Sequence, residues 1–191
     1  MSKSELRQTA LRSRRSLPSS TIESLSIQIT EVLSTLPEFA TASTLAAYAA
    51  KSDEVQTTGV IQAALGAGKT VLLPKVLIDS REITFHEVTD LSLLAPGAFG
   101  VLEPRADARV VPLRKADLVL VPVVAWDENG HRVGYGRGYF DKALKNRGRA
   151  LAAGLALESQ RFSNVPQGPT DEPLDIIVTE KRVVRPRSRS R

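Results

Sequence analysis

Apolar residues recur at helical spacing along the start of the chain, then give way to short continuous runs. Residues 4–17 predict a helix with Leu6, Ala10, Leu11 and Leu17 inward and Lys3, Arg7, Arg14 and Arg15 outward, stopped by Pro18. Ser19 or Ser20 is placed to cap a second helix, whose stripe is Ile22, Leu25, Ile29, Val32, Leu33 and Leu36 before Pro37. Residues 44–49 predict a buried strand. Residues 58–67 predict a third helix ended by Gly66 or Gly68, and 70–73 a strand closed by Pro74. Residues 81–88 alternate loosely, as a more exposed strand does. Beyond the Gly/Pro-rich APGAFGVLEP, residues 117–124 form a continuous Val/Leu run of the kind buried on both faces of a parallel sheet. A short helix at 139–145 and strands at 150–157 and 174–179 complete the series. Strands alternating with helices predict a doubly wound α/β domain, its mostly parallel sheet covered by helices on both faces. Ligands in such sheets bind beyond the carboxyl ends of the strands.

Composition narrows the class. With 191 residues, 42 % hydrophobic and 25 % charged, the chain suits one soluble globular domain. There is no cysteine, which excludes disulfides, thiolate metal sites and thiol nucleophiles. No apolar run is long enough to span a bilayer and no secretory h-region opens the chain, so a cytoplasmic protein is expected. Of the net charge of +5, four charges belong to Arg185, Arg187, Arg189 and Arg191 in the final run RPRSRSR. A folded domain over residues 1–184 and a disordered basic tail over 185–191 are expected, and nucleic acid is not the expected partner of the folded part.

The chemistry concentrates in WDENGHRVGYGRGYFDKAL, residues 126–144. Gly134, Gly136 and Gly138 alternate around Tyr135 and Arg137. Such glycines let the backbone approach a ligand and turn successive N–H groups toward an anion. Arg132 and Arg137 offer planar forks for phosphate oxygens. Asp141, in the first turn of the following helix, is placed to hold a bridging Mg²⁺. The alternatives are a plain glycine turn and an aspartate that merely favours a helix N-terminus. Lys3 and Arg7 share one helical face and either reach a triphosphate together or form a solvated basic face.

Other motifs lead nowhere. Residues 66–70, GAGKT, end like a P-loop, but Ala63 stands where that motif needs glycine and the helix precedes the strand. A dinucleotide fingerprint would put its third glycine at position 139, which is Tyr139. His86 and His131 are far apart and read as structural. No serine lies in a nucleophile elbow.

The run DENGHRVGYGRGYFDKAL resembles the signature of the 5-formyltetrahydrofolate cyclo-ligases, or methenyltetrahydrofolate synthetases, which reads roughly N-G-x-R-x-G-Y/R-G-G/K-G-Y/F-Y/F-D-R-x-L. K-S-E-L-R resembles that family's K-x-x-L/I/M-R, which implies that Lys3 and Arg7 contact ATP. E-V-Q-T resembles its E-V/I-D/E-T, which implies folate contacts at Glu54 and at Gln56, where an amide replaces the usual acid; Lys51 is at a pocket-lining position. GAFGVLEP resembles the loop that covers the substrate, with Phe99 suited to stacking on a pterin. VP followed by DEPLD resembles a segment in which Asp171 is the second Mg²⁺ carboxylate, paired with Asp141, and Asp175 positions the next strand.

The likeness runs from Lys3 to about Val184. It implies ATP-driven ring closure of 5-formyltetrahydrofolate by a monomer, with Mg²⁺ as cofactor. By the same resemblance ATP is bound by Lys3, Arg7, Arg132, Gly134, Tyr135, Gly136, Arg137, Gly138, Tyr139 and Phe140. Substrate contacts fall to Arg7, Lys51, Glu54, Gln56, Phe99, Tyr135 and Tyr139, and catalysis to Arg132, Arg137 and Asp141. The rival reading is a non-catalytic folate- or nucleic-acid-binding module on the same scaffold, which the Gln56 replacement favours.

Overall fold

The computed structural model describes residues 1–186. The chain runs α1 (Lys3–Arg15), α2 (Ser19–Ser34), α3 (Pro37–Thr41), β1 (Thr44–Ala46), α4 (Thr58–Gly66), β2 (Thr70–Leu77), β3 (Glu82–Val88), β4 (Ala95–Pro96) and β5 (Leu102–Glu103). It continues with β6 (Leu118–Pro122), β7 (Ala125–Trp126), β8 (Arg132–Val133), α5 (Tyr139–Leu144), β9 (Leu151–Leu155), β10 (Ile176–Val178) and β11 (Val183–Val184). Seven strands form one sheet in the order β11-β10-β9-β6-β1-β2-β3. The five inner strands are parallel, while β3 and β11 close the two edges antiparallel.

The pleat sorts side chains to two faces. Leu45, Val71, Leu118, Leu120 and Ala153 join Ile29 and Leu33 of α2, Phe39 of α3 and Ile61 of α4 in one core. Ala46, Leu72, Val119, Val121, Ala152 and Ile177 face the other way, onto Trp126 and Leu144 of α5. Helices therefore cover both faces, as the alternation of elements predicts. Leu6 and Ala10 of α1 pack past the carboxyl end of β6, against Val124, Ala125, Val133 and Val165.

Several expectations change in detail. Ser19 and Ser20 lie inside the first turn of α2, and Pro18 takes the cap position with no side-chain bond. Pro37 opens α3 rather than only ending α2. Pro74 does not end β2, which runs on to Leu77. Leu72 accepts from Ala47 on the β1 side, and Pro74, two residues on, faces the same side just beyond the end of β1. Its missing donor thus costs no ladder bond. GAGKT is a helix end: Gly68 has φ 74 and Lys69 Nζ donates to the carbonyls of Ala40 and Ala42. Arg14, expected outward, is 2 % exposed.

No described helix is long and apolar enough to cross a membrane. Of the basic tail, Arg185 pairs with Glu38 at 2.9 Å, and residues 187–191 lie outside the described residues.

Candidate active site

The glycine loop is carried by the β7–β8 hairpin, which is rigid for local reasons. Trp126 is fully buried and its indole N–H donates to the Leu157 carbonyl at 3.1 Å. Asp127, also fully buried, accepts from the amides of Asn129, His131 and Val165 and from the His131 ring. His131 is thereby part of the turn, and His86 is held between Thr84 and the Ala108 carbonyl. Gly130 has φ 83, and a Cβ there would come within 2.6 Å of the Leu174 carbonyl.

The loop then meets α1. Arg7 Nε donates to the Gly134 carbonyl at 2.7 Å, and its guanidinium lies over Gly136. With φ 92, Gly136 leaves that room; a Cβ would stand 3.0 Å from the guanidinium carbon. The result is a cleft of about 480 Å³ beyond the carboxyl end of β6. It is lined by Lys3, Arg7, Arg132, Gly134, Tyr135, Gly136, Arg137, Gly138, Tyr139, Phe140, Asp141 and Asp171, together with Lys142, Lys145 and Thr170. Six cationic side chains face two carboxylates there, an excess suited to a polyanion.

Arg132 sits at the centre of the charge network. Burial pulls its guanidinium below the usual range, and the adjacent Asp141 charge opposes that. It donates to Asp141 Oδ1 at 2.7 Å and to the Glu172 carbonyl. The Glu172 amide donates to the same Asp141 oxygen. Asp171 Oδ2 accepts from Lys3 Nζ and from the Gly168 amide. Burial raises the Asp171 carboxyl, but the bonds from Lys3 and Gly168 and the charges of Lys3 and Arg132 outweigh it and hold it below the usual range.

Two carboxylates fit Mg²⁺, which keeps several waters and takes few protein ligands. Among the described residues, the hydrogen bonds to Asp141 fall on Oδ1 and those to Asp171 on Oδ2. Asp141 Oδ2 and Asp171 Oδ1 are left with no protein donor among the described residues. No described group of three or more His, Cys, Asp or Glu gathers for a metal.

Four predicted residues stand outside the cleft. Phe99 lies on the β4–β5 connection with φ 59, its ring 6.0 Å from that of Tyr139. Glu103 anchors this connection by accepting from the Ala98 and Val76 amides. Lys51 Nζ lies 4.8 Å from the centre of the Tyr135 ring. Glu54 is buried and accepts from the Lys51 amide at 2.6 Å; burial raises its carboxyl despite that bond and the nearby Arg14 charge. Gln56 turns into its own loop, donating to the Lys51 and Glu54 carbonyls at 2.7 Å each. It borders a separate cavity beside α2.

The family model of the 5-formyltetrahydrofolate cyclo-ligases matches residues 1–180. The probable 5-formyltetrahydrofolate cyclo-ligase of Schizosaccharomyces pombe is 31 % identical, over 97 % of this chain and 98 % of its own length. The Escherichia coli K12 5-formyltetrahydrofolate cyclo-ligase is 30 % identical, over 89 % of this chain and 96 % of its own. The solved structure of Aquifex aeolicus 5,10-methenyltetrahydrofolate synthetase superposes with a TM-score of 0.86 at 36 % identity, covering all of this chain and 96 % of the other. The chain belongs to the 5-formyltetrahydrofolate cyclo-ligase family. It is thus a ligase-family protein of folate metabolism with the family's α/β fold.

Sequence reasoning missed Arg14 and Asp53. Arg14 Nη2 donates to Tyr135 Oη and, at 3.2 Å, to Asp53 Oδ2, while Nη1 donates to the Val123 carbonyl. The signal was available: Leu6, Ala10 and Arg14 are spaced by four, so the inward stripe of α1 ends on this arginine. Lys142, Lys145 and Thr170 were also missed, being polar residues whose place at the cleft depends on how the segments meet.

Proposed function

We propose that the chain catalyses ring closure of 5-formyltetrahydrofolate to 5,10-methenyltetrahydrofolate, consuming ATP with Mg²⁺ and releasing ADP and phosphate. The observation that carries this reading is the convergence of Lys3, Arg7, Arg132 and Arg137 on a glycine loop beside two partly satisfied carboxylates. Such a cleft suits a triphosphate held for transfer to an oxygen nucleophile.

The formyl oxygen on N5 attacks the γ-phosphorus and the bond to ADP breaks. N10 then adds to the activated formyl carbon and gives up its proton, and phosphate leaves with that oxygen. No protein nucleophile is required. Lys3 and Arg7 neutralise the phosphate chain from α1, and Arg132 and Arg137 offset charge on the phosphate in transfer. Asp141 and Asp171 would hold Mg²⁺, which when bound supplies further neutralisation of the phosphates. Lys51, Glu54 and Phe99, beyond Tyr135 and Tyr139, form the wall suited to the folate.

The test is absorbance in the near ultraviolet, where the methenyl product absorbs and the substrate does not. A rise that needs 5-formyltetrahydrofolate, ATP and Mg²⁺ together supports the reaction. A folded protein that binds ATP but gives no rise sinks it.

A further inference from the structure

The segment Gly134–Gly138 contains three glycines and therefore loses much backbone freedom when ordered. Helix α1 holds it at two points. Arg7 and Arg14 are seven residues apart, two turns along one face and roughly 10 Å in rise. Arg7 grips the loop backbone at Gly134. Arg14 grips the Tyr135 side chain, donating to its hydroxyl. The Tyr135 hydroxyl in turn donates to Asp53 Oδ1 at 3.4 Å, and Asp53 Oδ2 accepts from Arg14, closing a triangle. The Arg14 guanidinium carbon also lies 5.6 Å from the centre of the Tyr135 ring.

This triangle joins three separate stretches: α1, the turn that carries Asp53 and Glu54, and the glycine loop. Arg14 is 2 % exposed and its Nε has no hydrogen-bond partner, so it is a costly residue to bury. Its neighbour Arg15 also reaches Asp53 Oδ2, at 3.3 Å, but its side chain is 63 % exposed and such a pair contributes little.

We propose that Arg14 is a positioning residue: through Tyr135 and Asp53 it fixes the spacing between the phosphate cleft and the Lys51–Glu54 turn. It touches neither the cleft nor the reacting atoms and acts through Tyr135. The proposal rests on the reading of that turn as the folate wall. Because Arg7 holds the phosphate side independently, loss of Arg14 loosens only the folate side.

Kinetics of Arg14→Lys, Tyr135→Phe, the double variant and Arg15→Ala test this, alongside thermal melts. Lysine keeps the charge but cannot reach the three acceptors with a planar fork. Arg14→Lys and Tyr135→Phe should each raise KM for 5-formyltetrahydrofolate about tenfold with KM for ATP nearly unchanged. The double variant should be no worse than the more affected single one, since both break the same bond. Arg15→Ala should match the wild type. Equal rises in both KM values, additive effects, or folded variants with wild-type kinetics would overturn the role of Arg14. Should Arg14→Lys not fold, Tyr135→Phe decides: a rise confined to folate supports the proposal, and any other result sinks it. A wild type without turnover would instead remove the folate reading itself.

Discussion

Arg137 stacks its guanidinium over the Phe99 ring at 4.1 Å, joining the glycine loop to the β4–β5 connection. Phe99 holds φ 59, a left-handed conformation that costs a non-glycine residue on the order of 1 kcal/mol. The strain and the stack together place an aromatic face beside Tyr139, at the rim of the cleft. Phe99→Ala should raise KM for 5-formyltetrahydrofolate by about tenfold, the worth of a ring stack and its cation partner. KM for ATP should move much less. Steady-state kinetics with each substrate varied separately would reveal a loss confined to ATP, and that outcome would remove Phe99 from the folate wall.

Asp141→Asn removes the charge facing the buried Arg132 guanidinium and one proposed Mg²⁺ ligand. Turnover should fall by at least about a hundredfold, with the far-ultraviolet circular dichroism unchanged. Raising Mg²⁺ should recover part of the loss if the ligand role is right. Near wild-type turnover at ordinary Mg²⁺ would discard the metal assignment.

Gly136→Ala tests the contact between α1 and the loop. The new Cβ would stand 3.0 Å from the Arg7 guanidinium carbon at φ 92. A weaker ATP interaction and a stability loss of about 1–2 kcal/mol are expected. Chemical denaturation and ATP titration measure both; an unchanged ATP affinity would mean that Arg7 does not act from this position.

Glu54 has a clear sign. Burial first, opposed by the Lys51 amide and Arg14, leaves its carboxyl above the ordinary glutamate value of 4.5. A carboxyl that is raised on folding binds its proton more tightly when folded, so its ionisation destabilises the fold above that range and this effect fades as pH falls through the raised value and then below 4.5. Glu54→Gln keeps an acceptor for the Lys51 amide and removes the buried charge. The variant should melt higher than wild type at neutral pH, with the gap closing on acidification toward pH 4.5, while KM for folate rises. Melts across that pH range would expose a wrong sign as a gap that widens in acid.

The periodicity of Leu6, Ala10, Ile22, Ile29 and Leu33 and the run at 117–124 were enough to place the helices and the inner strands, because burial of a stripe or a strand depends on local spacing. The glycine spacing at 134, 136 and 138 likewise marked the loop proposed to hold phosphate, since positive φ is a local demand: Gly136 and Gly138 have φ 92 and 71. Gly134 has no such φ. Tertiary structure alone decided which distant groups share a charge. Lys3 meets Asp171, Arg132 meets Asp141, and Arg14, inward by its spacing along α1, meets Tyr135 and Asp53. Gln56, read as a folate contact, spends its amide on its own loop. These pairings follow from the order of strands in the sheet and the packing of α1 across its carboxyl edge, long-range arrangements that no local pattern of residues encodes.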